Sequence, residues 1–382
     1  MHSNLKYKIY IIVGEESGEN IGYELLSSLK KKIKFKLYGL GGKKLKSLGL
    51  NTIFNFNDLS IMGIFEILPR IPKLISLINQ TCNDIENVKP DLIISIDAPD
   101  FSFRVLNKIK KKNNIFKTLH IVAPTVWAWK SYRAKKISKF VDSLFVLFPF
   151  EKKYFTHHGI KTTFIGHPFL NSNNDNLKNT SKKLFKLKKN IISIFPGSRK
   201  GEIERHLNKI LFFLSKNSSF KKYNFLIIAV DSQIELIEQI SDQYKEKINF
   251  YVLKSSKYKK YAFKYSKFAI AVSGTISLEL ALNKVPLIVV YQLNYFTYLL
   301  LKNLVKVKYI SLANIILNKK IIPELIQSDF SYKKFNFELS NLTTNKRIKN
   351  NQLKMFDRLK QVLTSDGSNI AVKEIEKIIK TD

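Results

Sequence analysis

The chain has 382 residues, 45% hydrophobic and 12% aromatic, which is enough apolar matter for two or three packed domains and too much for a disordered chain. Its 65 Lys and Arg against 30 Asp and Glu leave a formal charge of +35, which favours anionic partners. One Cys, Cys82, excludes a disulfide framework and a Cys-built zinc site, and the six His lack the spacing of a metal centre.

Lys8–Val13 (KIYIIV) reads as a buried strand, followed by GEESGEN and a helix with Ile21, Leu25, Leu26 and Leu29 on one face. Phe35–Leu40 and Leu92–Ile96 are the next strands, and Phe103–Lys111 a helix. Strands at Thr118–Val122, Ser143–Leu147 and Thr162–Ile165 complete a first series, with helical segments between them. The polar, pattern-free run Asn171–Thr180 reads as the heart of a linker over 171–189. A second series follows: strand Ile191–Phe195, then a helix with Ile203, Leu207, Ile210, Leu211 and Leu214 inward. Further strands fall at Phe225–Val230, Phe250–Leu253, Phe268–Val272 and Leu287–Val290. Asn350–Ile379 looks like two helices. This βα alternation predicts an α/β protein with two Rossmann-like, doubly wound domains facing a cleft, one over 1–170 and one over 190–344. The C-terminal helices, 345–382, are expected to join the first domain.

The charge has an ordinary source as well. The chain is rich in Lys, Ile, Asn and Phe, as coding with few G and C bases gives. Lys30–Lys32 and Lys110–Lys112 fall where helices end, where cations suit the helix dipole. No run reaches the ~18 apolar residues of a spanning helix. Ile9–Val13 is too short for a signal sequence, so a cytoplasmic protein is expected. Ile61–Ile78 is apolar with Arg70 and Lys73 interleaved, which fits an interfacial helix or a buried pair split at Pro69 and Pro72.

In doubly wound sheets, ligands bind outside the carboxyl ends of the strands, so the residues there carry the functional reading. Gly14, Ser17 and Gly18 lie between the first strand and helix. They fit a turn near a sugar or phosphate with Ser17 as cap, and equally an ordinary capped turn. Asp97 ends an apolar strand and fits a general base, whereas Asp100 is read as a cap for the next helix. Both tryptophans, Trp127 and Trp129, follow the next strand and suggest a pocket wall; His120, inside that strand, reads as a core histidine. Gly197, Ser198 and Arg199 open the second series, with amides and a guanidinium suited to phosphate oxygens; a plain turn with a solvated Arg fits too. Ser273, Gly274 and Thr275 form a similar turn, and Glu279, one helical turn on, suits a ribose diol.

Taken in order, GEESGE, MGIFEIL (Met62–Leu68), IDAPDF, PTVWAW, FPFEKKYF (Phe148–Phe155), FIGHP (Phe164–Pro168), PGSR, SGTISLE and YISLANII (Tyr309–Ile316) closely resemble lipid-A-disaccharide synthases. The resemblance implies a GT-B glycosyltransferase whose later domain holds the donor nucleotide. It implies transfer of 2,3-diacylglucosamine from its UDP conjugate to 2,3-diacylglucosamine 1-phosphate, with a β-1,6 link formed and UDP released. Neither cofactor nor metal is implied.

By position, Asp97 matches the family's essential aspartate. Arg199, Glu279 and Asn314 match residues tied to UDP binding or activity, and Gly14–Glu19 match the acceptor-side turn. Glu16 and Glu19 stand where Ala and Asp are usual, Ala313 replaces a Pro and Lys130 an Arg, which leaves Glu19 and Lys130 in doubt. Two acylated substrates imply a peripheral enzyme on the anionic inner face of the bacterial inner membrane, with no nucleic-acid partner. A homodimer is allowed, the C-terminal helices either crossing back to the first domain or exchanging between subunits. A lipid-linked N-acetylglucosaminyltransferase and a UDP-N-acetylglucosamine epimerase share this logic, and a basic nucleic-acid-binding protein is the rival from another class.

Overall fold

The computed structural model describes residues 7–54, 67–126, 132–166, 190–272, 274–294, 298, 308–364 and 366–381. The 171–189 linker, Trp127, Lys130 and Ser273 lie outside them. The chain divides into two compact units, residues 1–168 with 363–382, and residues 169–362.

The first unit runs β1 (Tyr7–Val13), α1 (Glu16–Lys30), β2 (Phe35–Leu40), α2 (Lys43–Ser47), β3 (Leu50–Thr52), α3 (Ile67–Val88), β4 (Leu92–Ile96), α4 (Pro99–Lys112), β5 (Thr118–Ile121), α5 (Tyr132–Ile137), β6 (Ser143–Val146), α6 (Lys152–Thr156) and β7 (Lys161–Phe164). Its described strands form a parallel sheet in the order β3-β2-β1-β4-β5-β6-β7. β1 and β4 are apolar at nearly every position because helices cover both faces of the sheet. One face is packed by Leu77, Ile85, Val105, Leu106 and Ile109 of α3 and α4, the other by Leu25, Leu26 and Leu29 of α1.

The second unit runs β8 (Ile191–Phe195), α7 (Lys200–Ser215), β9 (Asn224–Ala229), α8 (Ile234–Asp242), β10 (Phe250–Lys254), α9 (Ser255–Tyr265), β11 (Ser266–Val272), α10 (Thr275–Leu282), β12 (Leu287–Tyr291), α11 (Leu312–Leu317), β13 (Glu324–Ile326), α12 (Tyr332–Thr344) and α13 (Lys346–Leu363). Its described strands are again parallel, ordered β10-β9-β8-β11-β12-β13. The edge strands β3 and β13 were not expected; each has three residues, too few to show a period.

Two expectations about helices change. Of the segment 61–78, residues 61–66 lie outside the described residues; the rest does not split at Pro69 and Pro72, since α3 continues from Ile67 to Val88. Both prolines fall in its first two turns, where few intrahelical N–H donors are lost. The C-terminal segment also divides. α13 stays with the second unit because buried Gln352 accepts from Leu287 N–H at 2.7 Å and donates to Leu287 O and Ile321 O at 3.0 and 3.1 Å. Only the last helix, α14 (Gly367–Lys380), returns to the first unit, where Ala371, Val372, Ile375 and Ile379 are buried beside α1. Lys161 and Glu374 pair at 2.9 Å on its outer side.

Candidate active site

In the first sheet the chain winds outward in opposite directions from β1 and β4, so the crevice between their carboxyl ends is a topological switch point. Gly14 follows β1 and Asp97 follows β4, so the two earliest sequence motifs meet there. The approach is close. A Cβ on Gly14 would stand 2.5 Å from the Ala98 Cβ, so only glycine lets the two turns pass. Gly18 lies in the first turn of α1, where a Cβ would stand 3.2 Å from Ile96 O.

Asp97 and Ala98 both sit in the left-handed region, at φ 53° and 45°. Such backbone costs about 1–3 kcal/mol per residue unless its surroundings hold it. Here Asp97 N–H donates to Ile121 O at 3.0 Å, Ala98 N–H to Asp97 Oδ1 at 2.9 Å, and Ser102 Oγ–H to Asp97 O at 3.1 Å. The turn aims the half-buried carboxyl out of the strand end, and burial pushes its pKa up. A carboxyl raised in this way is a better proton acceptor once ionised.

Glu15 was not singled out from sequence and belongs to this group. It is exposed overall, yet the protein around its carboxyl pushes its pKa up, and the negative charge of Asp97 adds to the rise. Only the βα order, which sets β1 beside β4, would have revealed the pairing.

Other expectations at this end change or hold. Ser17 does not cap α1; the helix begins at Glu16 with Glu15 as N-cap and no side-chain cap bond. Glu19 is structural. Its buried carboxylate accepts from Lys44 N–H and Leu45 N–H at 2.8 and 3.2 Å, which anchors the start of α2. Asp100 lies in the first turn of α4, where a carboxylate suits the dipole, while Ala98 holds the cap position. His120 is fully buried against Phe103, with Ser95 Oγ 2.7 Å from Nδ1, and burial pushes its pKa down to about 3. It stays neutral as a core residue.

The second sheet has its own switch point between β8 and β11. Gly197–Arg199 follow β8 and Gly274–Thr275 follow β11, so these motifs also meet. Both glycines have positive φ, 104° and 149°. α7 opens at Lys200 with Arg199 as N-cap, whose carbonyl accepts from Glu202 N–H and Ile203 N–H. The Arg199 guanidinium is 73% exposed and held by one 3.4 Å contact to Glu202 Oε1, so most of its donors face solvent. Gly274 caps α10, and its carbonyl takes both Ser277 N–H and Ser277 Oγ–H. Glu279 Oε2 pairs with Lys259 Nζ at 2.7 Å, which fixes the carboxylate.

Asn314 differs from the others. It is fully buried, its Nδ2 donates to Ile322 O and Glu324 Oε1 at 2.9 and 2.8 Å, and its Oδ1 accepts from Ile321 and Ile322 N–H at 2.9 Å. All four of its hydrogen-bonding sites are filled by protein. Glu324, unremarked in the sequence, completes the knot by also accepting from Ile310 and Ser311 N–H. Asn314 thus ties α11 to the loop that follows it and leads into β13.

Two parallel α/β units with glycine turns at both switch points define the GT-B class. The same fold is seen in the UDP-GlcNAc 2-epimerase of Neisseria meningitidis bound to UDP-GlcNAc, with TM-score 0.63, 13% identity and coverage of 98% of this chain and 100% of the other. It is seen also in MurG of Acinetobacter baumannii, with TM-score 0.56, 13% identity and coverage of 97% and 99%. These likenesses establish the fold alone.

The family comes from sequence: residues 9–378 match lipid-A-disaccharide synthetase, and the chain belongs to that glycosyltransferase family. A lipid-A-disaccharide synthase of Rickettsia prowazekii is 35% identical over 378 residues, covering 98% of this chain and 99% of its own. That of Acinetobacter baylyi is 35% identical over 378 residues with 95% coverage of both.

Proposed function

We propose that this chain is a lipid-A-disaccharide synthase. It transfers 2,3-diacylglucosamine from UDP-2,3-diacylglucosamine to the 6-hydroxyl of 2,3-diacylglucosamine 1-phosphate, forms the β-1,6 link and releases UDP. The observation that carries the mechanism is the raised carboxyl of Asp97 at one switch point, with glycine turns and an exposed guanidinium at the other.

Asp97 takes the proton of the acceptor hydroxyl as that oxygen attacks the anomeric carbon, in a single inverting displacement. The transition state is oxocarbenium-like, and negative charge grows on the departing UDP. Arg199 and the amides at Gly197, Ser198 and the Ser273–Thr275 turn receive that charge, and Glu279 receives the ribose diol. Gly14 and Gly18 let the acceptor-side segment approach Asp97 closely. Asn314 acts by holding its loop.

Acylated substrates require the enzyme to reach a membrane surface. Among the described residues no helix is long and apolar enough to cross a membrane. The charge of +35 and the first half of α3, where Ile75 is 51% exposed beside exposed Lys73, support peripheral docking on the anionic inner face of the inner membrane. Incubation with the two substrates, followed by mass analysis of the product, tests the reading. A tetraacyl disaccharide 1-phosphate is expected; turnover of UDP-N-acetylglucosamine instead would overturn it.

A further inference from the structure

A cavity of about 360 Å³ lies in the first unit between α4 and α5, and the mechanism above leaves it unused. Its rim carries Arg104, Arg133 and Lys136 against a single carboxylate, Asp100. Its floor is apolar, formed in part by Phe103 and Phe140, whose rings lie 5.5 Å apart. The cations are not explained by the general Lys excess. The chain has only seven Arg against 58 Lys, and two of the seven border this one cavity. Arg is the residue whose planar fork matches a phosphate in two parallel hydrogen bonds, a geometry that Lys lacks. Elsewhere in this unit Lys112 pairs with Glu86, Lys161 with Glu374, and the largely buried Lys110 with Asp142. Arg104, Arg133 and Lys136 have no such partner among the described residues. Three exposed cations border one concave, half-apolar surface, and their summed positive field attracts an anion there.

The position narrows the anion. Pro99 and Asp100, which begin α4, line the cavity and lie two and three residues beyond Asp97. Adjacent Cα atoms are about 3.8 Å apart, so the near end of the cavity starts at most about 11 Å, Cα to Cα, from Asp97, within the reach of a phosphorylated sugar. We propose that this cavity is an anion subsite that seats the phosphate monoester of the acceptor sugar, while the far side of the ring offers its hydroxyl to Asp97. This rests on the acceptor reading given above. The two Arg grip phosphate oxygens, Lys136 adds charge, and the aromatic floor meets an apolar sugar face.

The test is the double variant Arg104→Gln/Arg133→Gln, assayed in neutral detergent with the 1-phosphate acceptor and with its dephosphorylated form. The acceptor KM is expected to rise about 10- to 100-fold, with donor KM and kcat close to wild type. The dephosphorylated acceptor should be used equally by both proteins, because the lost contact is absent from that pair. An unchanged acceptor KM overturns the subsite, as does an equal penalty on the dephosphorylated acceptor. Inorganic phosphate should compete with the acceptor in wild type and not in the variant; equal competition in both places the phosphate elsewhere and overturns it. If the variant loses only its hold on anionic vesicles, the cations serve lipid headgroups and the subsite is wrong. Should wild type turn over neither substrate, calorimetry with glucosamine 1-phosphate still decides. Binding to wild type that the variant lacks supports the cavity apart from the reaction, and equal binding or none refutes it.

Discussion

The two switch points solve one geometric problem with different residues. At both, the chain must leave a strand through backbone of positive φ. The second unit uses glycine, at Gly197 and Gly274, and keeps its turns bare. The first uses side-chain-bearing residues, Asp97 and Ala98, with Val122 at φ 74° after the neighbouring strand. Glycine costs little there and leaves amides open to an anion. A carboxylate at such a position is strained and must be held, as the bonds from Ile121, Ala98 and Ser102 do. In the proposed reaction the difference is a division of labour: the first end would accept a proton and the second would receive a phosphate.

The sharpest way to break that comparison is Asp97→Asn. Asn tolerates positive φ, so the turn should survive while the proton acceptor is lost. A kcat lower by about 10²–10⁴-fold is expected, with an unchanged urea midpoint as the control on folding. Wild-type turnover from this variant would remove the first unit's part.

Substituting glycine at each end separates the two roles. Gly14→Ala drives a methyl into Ala98, a strain of about 1–3 kcal/mol, and should lower kcat by displacing Asp97. Gly197→Ala strains a φ of 104° and brings a methyl to 3.0 Å from Glu202 Oε2, so donor KM should rise more than kcat falls. Kinetics of both variants check the split; the same response from both would erase it.

Much of this was legible in the sequence. β2, β4 and β8 fall on the residues expected; for β4 and β8 this is because strands buried on both faces give nearly continuous apolar runs bounded by polar turns. The motifs ending them were legible for the same reason. His120 was legible as core because it interrupts such a run. What stayed hidden depends on long-range partners. Glu15 matters through Asp97, more than 80 residues away. Asn314 looked like a ligand contact, yet its amide is spent on Ile321, Ile322 and Glu324, which no local pattern announces. The split of the C-terminal helices rests on Gln352, one buried amide in an otherwise amphipathic helix.

Asn314→Ala sharpens that last distinction. It leaves two buried N–H donors and a carboxylate short of partners, and a loss of about 1–3 kcal/mol is expected from urea unfolding. The donor KM should move with the loop. A large donor effect without any loss of stability would restore Asn314 as a direct ligand.

The smallest effect concerns pH. A base must be ionised, so kcat/KM falls as pH drops through the pKa of Asp97, and burial sets that limb above the ordinary carboxylate range. Asp97→Asn removes the negative neighbour that helps raise Glu15, so the Glu15 carboxyl, followed by NMR titration, should ionise at lower pH by less than about one unit. An unmoved Glu15 would uncouple the pair.

The most direct measurement is calorimetric titration of UDP into Asp97→Asn and Arg199→Ala beside turnover of each. Asp97→Asn should bind UDP as wild type does while scarcely turning over, and Arg199→Ala should lose about tenfold or more in UDP affinity. Weakened UDP binding by Asp97→Asn, or undiminished binding by Arg199→Ala, would contradict the division between the two units.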